Sequence, residues 1–409
     1  MKVFGMNRVG MKKAMAVALV GLVALAGCHN AKKENIQPPT PLAKDFKPTV
    51  QVTRLWRESI GDGAGDTGVR LRPTVVDGVL YADSNDGKLV ALDAATGKTI
   101  WSKSSRTHGW FGWGDKKRKD AFYAGGPAVS GELLAVGTLD GHVYGVSAKD
   151  GSPRWEAMLK SEVLTSPVIV GDLVVVRTGD GRVYGLDAAT GERRWVYDQS
   201  DVPLLSLRGN GPLLVANGVV FFGSDGGKLV ALRLDNGEKL WEQKLASGEG
   251  RTEIERLDDS DGAVLLDGRV LYGAAYHGNL AAIDGPSGRP MWTHPFSTFT
   301  SLASSGTAIY GADDNSQVWA FDKSAGAEMW KNDKLKYRWL TGPAVQGNYL
   351  VVGDIEGYVH WLQTGDGALA ARERLSKHAI RAQPLVVGDT VYVEDVEGRI
   401  GAYRLGGAH

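Results

Sequence analysis

One pattern recurs eight times along this chain and leaves little choice of fold. In its first copy, residues 76–101 read VDGVLYADSNDGKLVALDAATGKTIW. An apolar strand runs into a polar Asp-Gly turn, a second strand follows, and a Thr-Gly turn leads to a tryptophan. Further copies occupy 129–155, 169–195, 215–241, 265–292, 304–330, 345–371 and 386–405. In the first six the tryptophan follows its turn glycine by four residues, from Gly97 and Trp101 to Gly326 and Trp330. Gly367 keeps that offset, but Ala371 stands in place of the tryptophan.

The glycines of the first turn (Gly87, Gly141, Gly181, Gly227, Gly278, Gly357 and Gly398) share the register, with Ser316 in the sixth place. From Gly87 to Gly398 is 311 residues in seven steps, a mean of about 44. Alternating apolar stretches joined by Asp-Gly and Asn-Gly turns are strands, and a period in the forties is that of a four-stranded propeller blade. The expected fold is therefore all-β: an eight-bladed β-propeller of four-stranded antiparallel blades. The eighth copy ends at Leu405 without its outer strand, while Trp56 in the stretch VTRLWR lies orphaned before the first copy. The N-terminal strand should complete the last blade and close the ring, removing the exposed edge. The repeat tryptophans are expected to pack between blades. The same turns explain why glycine, at 55 of 409 residues, is near twice its usual share while proline, at 15, is not raised.

The N-terminus has a different character. Lys2, Arg8, Lys12 and Lys13 precede an apolar run at 14–27, about the length of a secretory core and short for a membrane span. Met11-Lys12-Lys13 would itself open a compact signal. The run ends Leu25-Ala26-Gly27-Cys28, which resembles a bacterial lipobox: the resemblance implies cleavage before Cys28 and acylation of Cys28. His29, rather than Asp, after the cysteine implies sorting to the outer membrane, with a lipid anchor on the periplasmic side. The expected organisation is a signal peptide at 1–27, an acylated tether at 28–49 and the propeller at 50–409. Lys plus Arg and Asp plus Glu both total 47, but loss of four basic residues with the signal leaves 43 against 47, a mildly acidic chain. That balance argues against nucleic acid as a partner.

The residues give little support to catalysis. The eight histidines form no close pair, and with one cysteine a multi-cysteine metal site is excluded. The DDSDG stretch at 258–262 has the flavour of a calcium loop but lacks its spaced continuation and closing Glu, so it reads as an acidic surface loop. No G-x-S-x-G elbow occurs. Trp- and Gly-rich repeats of this kind resemble the quinoprotein (PQQ-dehydrogenase-like) propellers. Dehydrogenases of that class hold a quinone with a calcium ion, and many carry an adjacent-cysteine disulfide that a single cysteine cannot form. A PQQ-dependent dehydrogenase-like propeller is the alternative reading; the favoured one has no catalytic residue, no metal and no cofactor.

Two inter-blade segments break the rhythm. Residues 201–211, DVPLLSLRGNG, put leucines and an arginine between the third tryptophan and the next blade; residues 252–261, TEIERLDDSD, lie in the following interval. Adjacent blades should bring both to one rim, and apolar anchors with Arg beside carboxylates are what a partner-binding patch needs. A third irregularity, HGWFGWGDKKRK at 108–119, lengthens the second interval: Trp110 and Phe111 read as strand residues, followed by a basic loop at Lys116–Lys119. Trp110, Trp113, Trp339 and Trp361 lie outside the repeat register.

At LSLRG (205–209), TEIERLDDSD (252–261), AYHGNLAAID (275–284) and LVVGDIEGYVHW (350–361) the chain resembles the BamB family, the lipoprotein propellers of the outer-membrane β-barrel assembly machinery. The resemblance spans the lipobox and essentially the whole mature chain. It implies a non-enzymatic scaffold docked on the POTRA domains of the central barrel subunit, assisting nascent outer-membrane proteins. It also implies that Leu205, Leu207, Arg208, Asp259 and Asp261 form the docking site. Asp258 and Ser260 depart from the family's pattern within the acidic loop.

Overall fold

The computed structural model describes residues 37–105, 122–198, 211–246, 260, 262 and 264–406. Its strands form eight sheets of four antiparallel strands, the expected eight-bladed propeller. Blade one runs from the channel outward as Thr74–Val76, Val79–Ser84, Lys88–Asp93 and Thr99–Ser104. Blades two to seven repeat that order. Blade eight supplies Leu385–Val387, Thr390–Glu394 and Arg399–Leu405 and takes Val52–Ser59 as its outermost strand, paired from Val52 with Leu405 to Ser59 with Arg399. The orphan Trp56 is thereby the outer-strand tryptophan of the last blade.

Blades stack face to face, so their middle strands are covered on both sides. Leu133–Thr138 and His142–Ser147 are buried at every position, while the outer strand Lys239–Lys244 has no fully buried residue. In all eight blades the outermost pairing shifts register beside the tryptophan position, as at Ala91/Leu92 and Gly145/Val146. The bulge turns the indole toward the next blade. There its Nε1 donates to a backbone carbonyl of that blade at 2.8–3.0 Å: Trp56 to Ala94, Trp101 to Ala148, Trp155 to Ala188, Trp241 to Gly285, Trp292 to Lys323 and Trp330 to Thr364. Trp195 keeps the packing, but its Nε1 finds no partner. The second-turn glycine of the neighbouring blade lies on the ring, and it also holds a left-handed backbone; a Cβ on Gly237 (φ 71°) would sit 2.5 Å from the Trp195 ring. Tryptophan and glycine of the repeat are thus two halves of one inter-blade contact.

Blade seven solves its missing tryptophan by exchange. Across its outer pair the small and large residues trade strands: Trp361 faces Ala371, where blade one has Ala91 facing Trp101. Trp361 is fully buried against Tyr403 of blade eight, and its Nε1 donates to Gln346, whose side-chain amide donates in turn to Asp389 O at 2.7 Å. The first-turn register is also adjusted. Ser316 takes a left-handed φ of 64° where other blades use glycine, and in blade five that conformation belongs to His277 (φ 50°) instead of Gly278.

Residues 40–51 precede the ring-closing strand and lie along blades six and seven. Leu42 packs on their shared core, Thr40 and Thr49 donate to Lys336 O and Ala370 O, and Arg372 stacks on Phe46. Among the described residues no helix is long and apolar enough to cross a membrane.

Candidate partner-binding face

Each blade hands the chain on through a connector from its outermost strand to the innermost strand of the next. Repetition places the described ends of the equivalent connectors on one face of the ring. The two segments singled out from the sequence are the connectors from blade three to four and from blade four to five. Leu205, Leu207, Arg208, Asp259 and Asp261 lie outside the described residues, as do Cys28 and the stretch containing Trp110, Phe111 and Lys116–Lys119. The points where both connectors re-enter the ring are described, and they meet at the end of one strand, Val219–Ser224 of blade four.

Arg177 fixes the first point. It ends the second strand of blade three, is wholly buried, and donates to Gly211 O (3.2 Å), Gly223 O (2.6 Å) and Asp225 Oδ1 (2.9 Å) while lying over the Phe222 ring. Ser260 fixes the second. Its hydroxyl donates to Ala274 O at 2.8 Å and its amide to Ser224 O, and it lies so close over Gly223 that a Cβ there would overlap it. Ser260 is therefore an inward anchor inside a stretch that reads as an acidic surface loop. Gly223 and Ser224 form the common seat of both connectors.

The repeat contains the signal for Arg177. At the same strand position the other blades have Gly137, Gly223, Ala274, Ala312 and Gly353, so a long cation there marks a built interaction. Blades one and eight put Asp83 and Glu394 in that position, both buried and without hydrogen-bond partners on their carboxyl oxygens. Burial pushes both carboxyls well above the usual carboxylate range.

The connector from blade six to seven carries a second buried cation. Arg338 donates to Asp354 (2.7 Å), to Glu356 and to Thr40 O (2.8 Å), and Asp354 also meets His360 Nε2 at 2.9 Å. Burial alone would raise the Asp354 carboxyl, but the His360 hydrogen bond and the charges of His360 and Arg338 hold it below its ordinary value; burial draws His360 down. Beside this clamp Trp339 is held with φ 50° and its side chain is 56% exposed. Of the tryptophans outside the repeat register, Trp361 is core and Trp339 is presented to solvent. Trp319, a further one, stacks on Phe321 and under Lys331. Among the described residues no group of three or more His, Cys, Asp or Glu is arranged to hold a metal.

The chain is similar to known proteins over nearly its whole length. A family profile described as "Outer membrane protein assembly factor BamB" covers residues 105–332 and 325–405. A second, "Glucose/ethanol/alcohol dehydrogenase, beta-propeller domain", covers residues 50–156. The chain is 44% identical to outer membrane protein assembly factor BamB of Xanthomonas campestris pv. campestris, over 98% of this chain and 99% of the relative. It is 38% identical to that of Pseudomonas aeruginosa (96% and 99%) and 34% to that of Escherichia coli K12 (95% and 98%). The crystal structure of BamB from Moraxella catarrhalis superposes with a TM-score of 0.76 at 27% identity, over 87% of this chain and 100% of that one. Quinohemoprotein alcohol dehydrogenase from Comamonas testosteroni has a TM-score of 0.68 at 15% identity, over 88% and 77%, a likeness of fold alone.

Proposed function

The chain belongs to the BamB family of outer membrane protein assembly factors, non-enzymatic components of the outer-membrane assembly machinery, and from that premise we propose how it engages its partner. The connector face docks on the POTRA domains of the machine's central barrel subunit. Leu205 and Leu207 serve as apolar anchors, Arg208 as a donor to carboxylates, and Asp259 and Asp261 as the acidic counterpart. Acylated Cys28 tethers the scaffold to the outer membrane from the periplasmic side, where it assists delivery, folding and insertion of nascent outer-membrane proteins.

One observation carries this reading. The connectors that hold all five residues return to the same strand end, with Gly211 bound by Arg177 and Ser260 seated on Ser224. The shared seat fixes the described re-entry points, Gly211 and Ser260, relative to each other, and a fixed spacing of that kind favours one composite docking surface. Exposed Trp339 lies on the equivalent connector of blade six, where an aromatic side chain with fixed backbone suits the margin of such an interface.

The test is capture of the central subunit by wild type, Leu207→Ala and Arg208→Ala, each checked for an unchanged melting profile. Capture should fall at least about tenfold in each variant. Undiminished capture by folded variants refutes the docking site. Absorbance addresses the dehydrogenase alternative: a bound quinone would colour the purified protein, whereas a scaffold is colourless.

A further inference from the structure

Residues 40–46 cross the outer margin of blades six and seven as a strap, and a recess of about 400 Å³ lies beneath them. The strap supplies Pro41, Leu42 and Phe46 to its lining, blade seven supplies Leu369 and Ala371, and the turn after the outer strand of blade six supplies Lys336. Arg372 ties the blade wall to the strap: its Nη2 donates to Ala43 O at 3.2 Å, and its guanidinium lies 5.4 Å from the Phe46 ring. Most of the lining is apolar. The volume falls in the range of pockets that hold small molecules, and a dry cavity of about 150 Å³ already admits benzene.

One buried polar group belongs to this recess. His360 lines it, is 1% exposed, and stands opposite Arg372 across the strand pair. At the same position, one residue before the partner of the repeat tryptophan, other blades carry Val90, Tyr144, Tyr184, Val230 and Trp319. An imidazole there departs from the pattern. Its Nε2 lies 2.9 Å from Asp354 Oδ2, and Arg338 donates to the same carboxylate. A carboxylate only accepts, so Nε2 carries the hydrogen. Burial, with the charges of Arg338 and Arg372, opposes a second proton on the ring. Nδ1 is therefore a lone-pair acceptor held in a fixed direction, and among the described residues it has no hydrogen-bond partner. A buried acceptor left unmet is costly, and a neutral O–H donor removes that cost. An ammonium would instead meet the repulsion of two arginines.

We propose that the recess binds a compact apolar molecule carrying one neutral hydroxyl, of the phenol or alcohol class. Its body lies against Leu42, Phe46 and Leu369, and its hydroxyl donates to His360 Nδ1. The site goes beyond the POTRA-docking reading, because none of these residues belongs to the docking segments. The recess is whole only while the strap is in place, so a bound molecule also holds the strap against the blades.

Fluorine NMR on the full-length protein in mild detergent tests it, with 4-fluorophenol and 4-fluoroanisole as probes and protein-free detergent as the reference. The methyl ether keeps the apolar body and removes the donor. Wild type should bind 4-fluorophenol saturably and about tenfold more tightly than 4-fluoroanisole. His360→Phe puts an aromatic ring where other blades have one, so it should keep the wild-type melting profile and bring the two affinities within about twofold. Phe46→Ala lies on the strap and should weaken both probes alike, by about threefold or more. Hydrogen exchange locates the site: the Thr40 amide donates to Lys336 O at 3.1 Å, and at free 4-fluorophenol ten times its Kd its exchange should slow about tenfold. Absence of saturable binding by wild type overturns the proposal, as does equal affinity of the two probes. A phenol preference that survives in folded His360→Phe, or Thr40 exchange unchanged at saturation, overturns it too.

Discussion

Removing Arg177 by Arg177→Ala tests whether the buried cation organises the connector face. The substitution deletes the ion pair with Asp225 at 2.9 Å and the hydrogen bonds to Gly223 O and Gly211 O. It also strands a carboxylate, because the two side chains are 0% and 3% exposed. Breaking one side of such a pair costs about 3–5 kcal/mol, most of it the uncompensated charge left behind. The double variant Arg177→Met with Asp225→Leu keeps volume but removes both charges, leaving two carbonyls short of a donor at about 1–2 kcal/mol. The single losses should therefore be strongly non-additive, with a coupling energy of about 2 kcal/mol or more. Urea denaturation followed by tryptophan fluorescence measures this. Raising salt from about 0.15 M to 1 M should leave the coupling nearly unchanged, since a buried pair is weakly screened. Capture of the central subunit gives a second readout: Arg177→Ala frees Gly211 and should weaken capture at temperatures where the variant is folded. Additive losses, or a loss under about 1 kcal/mol for Arg177→Ala, would refute the reasoning.

Two further outcomes follow from the blade contacts. Gly237→Ala combines left-handed strain with overlap on the Trp195 ring and should cost about 3 kcal/mol in denaturant unfolding; Gly268→Ala, with a similar φ of 59° and open space around it, should cost only about 1–2 kcal/mol. Asp83→Asn and Glu394→Gln should raise the melting midpoint. Burial raises both folded carboxyl pKa values, so native stability is fullest below the ordinary carboxylate pKa and falls as pH rises toward the folded value. The gain should therefore be larger at pH 8 than at pH 5, and an equal gain at both would contradict it.

Periodicity made the architecture legible because every blade solves the same packing problem with the same residues. The Trp–Gly offset encodes the inter-blade contact, and the unpaired Trp56 and truncated eighth copy encode the closure. Departures from the pattern were only partly legible. Ala371 advertised a missing tryptophan, but that Trp361 and Gln346 replace it across the strand pair depends on which residues face each other. The left-handed turn residue of blade five moved from Gly278 to His277 because His277 is fixed by neighbours in space: its ring stacks on Tyr276 and its amide binds Ser297.

The docking segments illustrate the same division. Their composition marked them in the sequence, since leucines, an arginine and carboxylates in a broken repeat are local features. Their common seat on Gly223 and Ser224 is a tertiary fact, built from Arg177 at a strand end of blade three and Ser260 on the connector from blade four to five. The recess under the strap lies furthest from sequence reading: Phe46 and His360 stand more than three hundred positions apart and share a cavity only because the strap crosses blades six and seven. By itself the sequence determined the blade, the number of blades and the strand that seals them, since each depends on short-range order repeated. Only the tertiary structure decided where buried charge collects and what the strap encloses, because those depend on which distant residues the closed ring brings face to face.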